Sequence, residues 1–138
     1  MKRQAKADAC PCGGMDYAKC CGVYHHACHA GAAADSAERL MRSRYSAYVL
    51  GLTEYVYATW HAGTRPALDE LARDAGSKWL GLEVKRHQAN GDHATVEFVA
   101  RYKLDGRAHR LHEISRFVRE EGRWFYLDGS FPERKTTT

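Results

Sequence analysis

The stretch Cys10-Pro11-Cys12-Gly13-Gly14-Met15-Asp16-Tyr17-Ala18-Lys19-Cys20-Cys21 holds four of the chain's five cysteines within twelve residues. Thiols at that density must pair, cycle or bind metal. Disulfides fit poorly: Cys20 and Cys21 are adjacent, and a single proline separates Cys10 from Cys12, so pairing within either cluster strains the backbone. Pairing between the clusters is geometrically open, yet a chain of 138 residues buries roughly two thirds of its unfolded surface and needs no staple. A redox centre would use Cys-x-x-Cys at a helix start, which is absent. A tetrahedral cation needs two short chelating arms joined by a turn. Cys-x-Cys, seven residues and Cys-Cys supply them, with Gly13-Gly14 allowing a tight turn after the first arm. Zinc suits such a set best, because four thiolates close its shell and it has no redox chemistry. The expectation is one structural zinc per chain, which adds folding energy to a segment too small for a core of its own.

Cys28 is left over, in Tyr24-His25-His26-Ala27-Cys28-His29. This run reads as a second metal site or as a histidine-rich solvated linker. The linker is preferred, since no carboxylate or second cysteine stands nearby to complete a shell. His25 is an alternative to Cys21 as fourth ligand. The pattern C-P-C-G-G…Y-A-K-C-C-G resembles the SEC-C motif, the zinc-binding module at the C-terminus of the bacterial translocation ATPase, with Gly-Gly where Gly-Ser is commoner. The resemblance implies a module over residues 8–26 with Cys10, Cys12, Cys20 and Cys21 as ligands. It also implies a protein partner from translocation or ribosome-associated machinery, because the module of the ATPase is associated with such contacts.

A second group, Glu113, Tyr126, Asp128 and His61, has the residue types for acid–base work, and its use depends on the elements that carry it. Asp35 or Ser36 caps a helix in which Ala37, Leu40, Met41, Tyr45, Tyr48 and Val49 recur at helical spacing until Gly51, with Glu38 three residues after Asp35. Thr53 opens a second helix, Glu54 to Thr59, and Pro66 a third, Ala67 to Arg73. From Trp79 the period becomes two: Leu80, Leu82 and Val84 alternate, followed by strands over Ala94–Tyr102, His109–Arg119 and Trp124–Asp128. Asn90-Gly91-Asp92, Asp105-Gly106 and Glu121-Gly122 are hairpin signals, so an antiparallel meander is expected with three helices packed on one face, an α+β plan.

Alternation places Glu113, Ser115 and Phe117 on one face and Trp124, Tyr126 and Asp128 on another; if both faces line one concavity, Trp60 and His61 stand at its mouth. Glu113 or Asp128 would then act as general base, with Tyr126 or His61 as donor to an oxyanion. The structural alternative, preferred here, is that Arg42, Arg44 or Arg116 holds the two carboxylates, since buried charges are normally paired. The candidate pocket is therefore Arg44, Trp60, His61, Glu113, Trp124, Tyr126 and Asp128, with no catalytic residue assigned. The segments LMRSRYSAY, TWH, WLGL, E-x-SRF and W-x-Y-x-DG resemble the YchJ family of bacterial proteins. This resemblance implies a cone-shaped, nuclear-transport-factor-two-like domain over residues 35–133. Many members carry a second SEC-C motif after the sheet, where this sequence reads PERKTTT.

The net charge is +4, but acids and bases interleave, so a nucleic-acid groove is not expected. Binding of RNA or the ribosome through Arg42 and Arg44 is the third alternative. The 44% hydrophobic content contains no run near the roughly 18–20 apolar residues of a membrane helix, and the start MKRQAKADAC has no apolar signal region. The expected setting is the cytoplasm. The leading expectation is a non-enzymatic protein: a zinc-stabilised interaction module joined to a ligand-binding or dimerising domain, with homodimers through the open sheet face. An acid–base enzyme of the isomerase or hydratase kind is the alternative.

Overall fold

The computed structural model describes residues 9–26, 34–73 and 78–132. Cys28 lies outside them. The first segment forms a cysteine loop, one 3-10 turn at Tyr17–Lys19 and a short helix, α1 (Cys21–His26), which the sequence reading did not anticipate. Helix α2 spans Ala37–Leu50, where the Ser36 hydroxyl accepts from the Arg39 N–H at 3.1 Å. Gly51 closes the helix at φ 75°, returning its N–H to the carbonyls of Ala47 and Tyr48. Helices α3 (Thr53–Ala58) and α4 (Leu68–Arg73) follow close to the expected bounds. No helix among the described residues is long and apolar enough to cross a membrane.

The four strands β1 (Lys78–Asn90), β2 (His93–Leu104), β3 (Arg107–Glu120) and β4 (Arg123–Ser130) form one antiparallel sheet in sequence order. Both residues of the Asp105-Gly106 and Glu121-Gly122 turns have positive φ, as two-residue hairpins whose twist matches their strands require. Alternation holds best in β2, where Ala94, Val96, Phe98 and Ala100 are buried beneath α2. Helix α2 touches both outer strands, β1 and β4, so the sheet must curl around it. This is the expected α+β architecture.

Three β-bulges accommodate the curl, at Leu80, Lys85 and Leu127, and the first and last bear on the faces expected from alternation. Trp79 pairs with Tyr102 and Gly81 with Arg101, which leaves Leu80 as an extra residue, 50% exposed, while Leu82 and Val84 keep to the core side. On β4, Tyr126 pairs with Phe117 and Asp128 with Arg116, so Leu127 is the extra residue and alternation inverts after it.

Candidate metal centre and cone cavity

The cysteine loop is held by its own backbone. Cys10 N–H donates to Gly14 O and Gly13 N–H to Cys10 O, both at 3.0 Å, and Asp16 accepts from the Ala18 N–H at the 3-10 turn. A Cβ on Gly14 would come within 2.8 Å of Cys20 Sγ, so this position has no room for a side chain. The Sγ atoms of Cys10, Cys12, Cys20 and Cys21 all lie within 4.8 Å of one another, and Cys12 and Cys20 are 3.6 Å apart. Tetrahedral thiolates ~2.3 Å from one ion stand ~3.8 Å from each other, so the set fits a four-coordinate cation.

The proximity of the thiols couples their ionisation. Hydrogen bonding, chiefly from Cys21, holds Cys12 down to about 4, while burial and the facing Cys12 push Cys20 up to about 11. Cys21 is pushed up mainly by its hydrogen bond to Cys12. Crowded thiols resist ionising together, and a divalent cation would allow all four to do so. His25 is not a ligand. Its Nε2–H donates to Ser43 O at 2.8 Å, so Nδ1 accepts from the Tyr17 hydroxyl at 2.6 Å and both nitrogens are engaged. The loop is seated on α2: Cys10 Sγ is 3.5 Å from Ser46 Oγ, and Arg42 donates to Cys12 O at 3.1 Å while pairing with Glu38.

The opposite face of α2 looks into a cavity of about 260 Å³ between helix and sheet, partly open where the half-exposed Tyr48 lies. Arg44, only 5% exposed, donates through NH1 to Val56 O and Thr59 Oγ1, both at 2.9 Å, which closes the end of α3. Its guanidinium lies 5.0 Å from the Trp60 ring and 4.5 Å from that of Tyr126. Backbone bonds from His61 N to Tyr126 O and from Tyr126 N to Thr59 O lock α3 to β4, so Trp60 meets Tyr126 edge-on at 5.0 Å. Glu113, 7% exposed, accepts on Oε2 from Tyr126 at 2.7 Å and from Ser115 at 2.8 Å. Burial, the Glu113 charge and that hydrogen bond raise the Tyr126 pKa, so the phenol keeps its proton. Among the described residues no cation lies within ion-pair distance of Glu113.

The chain matches the family model described as "YchJ, middle NTF2-like domain" over residues 36–129. A UPF0225 protein of Methylibium petroleiphilum is 61% identical over 123 residues, covering 87% of this chain and 86% of that one. A SEC-C motif containing protein from Rhodopseudomonas palustris, solved in solution, is 35% identical with a TM-score of 0.81 over 90% of this chain and 98% of its own. Its counterpart from Psychrobacter arcticus, a crystal structure, is 31% identical with a TM-score of 0.78, covering 95% and 85%. The chain belongs to the YchJ family. The SEC-C motif of this YchJ chain is the cysteine loop just described, and its NTF2-like domain is the helix-lined sheet.

Within the YchJ fold, Arg44, Trp60, Glu113 and Tyr126 meet in the cavity, and three other candidates do not. Asp128 is turned outward by the Leu127 bulge and forms a two-pronged pair with Arg116, both bonds at 2.6 Å. His61 points outward too, with Nε2 2.9 Å from Glu120. Trp124, on the Tyr126 face but one pleat further along β4, is buried in the filled core under the Arg119 guanidinium. Arg44 is turned inward and Arg42 sits on the cysteine loop, so the two form no outward basic face. Sequence reasoning passed over Tyr48 and Trp79 as site residues. Tyr48 had a usable signal, one helical turn after Arg44 on the same face.

The Arg116 guanidinium, by hydrogen bonding, holds the Asp128 carboxyl below its ordinary range. A depressed folded pKa gives stability that is full above the unfolded value of ~3.9 and lost as pH falls through the folded one. Asp128→Asn should therefore lower Tm slightly near neutrality and not at all in strong acid, because the pair is half-exposed and screened. A pH-independent difference would refute this. Gly129 faces Ser115 across the β3–β4 pair, and a Cβ there would collide with the Glu113 carboxylate. Gly129→Ala should cost ~1–3 kcal/mol by overpacking, read as a lower urea midpoint; an unchanged midpoint would show that Glu113 is free to move.

Proposed function

We propose that the protein binds a small organic molecule in the cone cavity, and that its SEC-C loop holds one structural zinc that braces α2 and presents a surface to a protein partner. The observation that carries the first part is Glu113, a buried carboxylate facing a cavity and bridged by no arginine among the described residues. A carboxylate retained in an apolar chamber costs free energy unless something there uses it. For the module, the closed shell leaves no position for a substrate, so the metal would be structural. Met15, 91% exposed, and half-exposed Val23 give the module an apolar outer surface suited to a partner.

Ala100 lines the cavity and is otherwise buried, so Ala100→Leu fills the chamber without adding charge. The low-molecular-weight fraction of a cell extract should raise the Tm of the unmodified protein and leave that of Ala100→Leu unmoved. Equal responses, or none in either protein, would overturn the proposal. A second reading is acid–base catalysis: Glu113 accepts from Ser115 and Tyr126 through Oε2 alone, leaving Oε1 to act as base, with Tyr126 as hydrogen-bond donor. Incubating the recovered molecule in large excess over the protein separates the two, since a binder returns it unchanged and an enzyme converts it.

A further inference from the structure

Two opposite charges share the cavity without touching. Arg44 comes from α2 and Glu113 from β3; no ion pair joins them, and each feels the other only through space. Tyr126 stands between, its ring under the guanidinium and its hydroxyl on the carboxylate. NH1 of Arg44 is committed to Val56 and Thr59, and Glu113 Oε2 to its two hydroxyl donors. The remaining guanidinium N–H groups and Glu113 Oε1 have no partner among the described residues, and both side chains line the chamber. The walls are aromatic: Tyr48, Trp60, Trp79 and Tyr126.

We infer that the cavity selects a compact, uncharged aromatic amide, whose carbonyl oxygen accepts from Arg44 and whose N–H donates to Glu113. The charges in the chamber already balance. An anion drawn to Arg44 meets Glu113 at close range in a low-dielectric space, and an ammonium drawn to Glu113 meets Arg44, so either ionic ligand finds a like charge beside its partner. A neutral amide satisfies both at once. Aromatic walls favour a flat ring, and a volume of about 260 Å³ lies below the ~300–1,000 Å³ of drug-sized sites, so the ligand is small.

This inference rests on the cavity being a ligand site, and one titration separates the two claims. Benzamide, benzoate and benzylammonium share a ring and differ in charge. Added to the ¹⁵N-labelled full chain, benzamide should shift the indole resonances of Trp60 and Trp79 saturably and leave that of Trp124, outside the cavity, in place. Benzoate and benzylammonium should bind at least about tenfold more weakly. Glu113→Gln, nearly isosteric, leaves Arg44 as the chamber's single charge and should make benzoate the tightest of the three. A charged ligand preferred by the unmodified protein, or an unchanged order in Glu113→Gln, overturns the amide assignment while leaving the cavity a ligand site. Silence of Trp60 and Trp79 toward all three overturns both.

Discussion

Cys21→Ser is expected to take the protein from one bound zinc to none and to lower its Tm by about 10 °C. The magnitude follows from what the loop lacks. Its buried apolar side chains are Cys10, Cys12 and Cys21, the last at 2% exposure, and the partly buried Cys20, Tyr17 and Tyr24 add to them. Without a cation the four facing thiols have little to hold them together beyond weak sulfur hydrogen bonds. Structural zinc supplies ~10–16 kcal/mol of apparent binding energy in isolated finger peptides. Here the loop is also seated on α2 through Ser46, Ser43 and Arg42, so a loss of ~3 kcal/mol is the expected share, which is roughly 10 °C for a domain of this size. Native mass spectrometry counts the metal and calorimetry reads the Tm. A variant that keeps its zinc, or that loses zinc with an unchanged Tm, would show that the loop is not braced through Cys21. Because α2 receives the loop on one face through Arg42 and Ser46 and carries Arg44 into the cavity on the other, the zinc-free variant should also bind cavity ligands more weakly.

The parts legible in the sequence were those whose cause is local. Ser36 and Gly51 bound α2 because a capping hydroxyl and a residue tolerant of positive φ act within one turn. The β2–β3 and β3–β4 hairpins followed from Asp-Gly and Glu-Gly pairs, and the four-cysteine cluster from spacing that leaves few alternatives. The strand misplacements trace to the bulges at Leu80 and Leu127. An inserted residue carries no local signature when its backbone is satisfied from far away. The Leu127 carbonyl is met by the Thr64 hydroxyl at 2.7 Å, and the neighbouring Tyr126 carbonyl by the His61 N–H at 2.8 Å. Both partners lie more than sixty residues back in sequence, in the connection after α3. Strict alternation therefore carried Asp128 into the cavity, where the structure puts Gly129 beside Glu113. The seating of the cysteine loop on α2 was illegible for the same reason, since it depends on His25 reaching Ser43, eighteen residues on. Arg44 was legible as a pocket residue: it occupies a position on the apolar stripe of α2 with Met41, Tyr45 and Tyr48, and a charge on such a stripe is buried by the helix that carries it.

Replacing Arg44 by methionine keeps an unbranched apolar stem but removes the guanidinium and its charge, and should destabilise the protein by ~3 kcal/mol. Three losses contribute. The charged hydrogen bonds to Val56 O and Thr59 Oγ1 leave the end of α3 without its closing donors, worth ~1.5–3 kcal/mol. The guanidinium's contacts with the Trp60 and Tyr126 rings contribute ~1–2 kcal/mol when desolvated. Glu113 is left as the cavity's single charge, without the field that offsets it. Against these stands the cost of burying Arg44 itself, since burial pulls its pKa down while Tyr48, Tyr126 and Glu113 oppose that shift. Removing the charge recovers that cost and keeps the net figure below the sum. The double variant Arg44→Met, Glu113→Gln tests whether the two charges act as a unit. If they do, adding Glu113→Gln to Arg44→Met should restore stability, and the pair should be less damaging than the sum of the singles by ~1 kcal/mol or more. Urea midpoints of the four proteins give this coupling directly. Additivity within ~0.3 kcal/mol would mean that Arg44 serves only to close α3, and the dipolar chamber would then be an accident of packing with no bearing on what it binds.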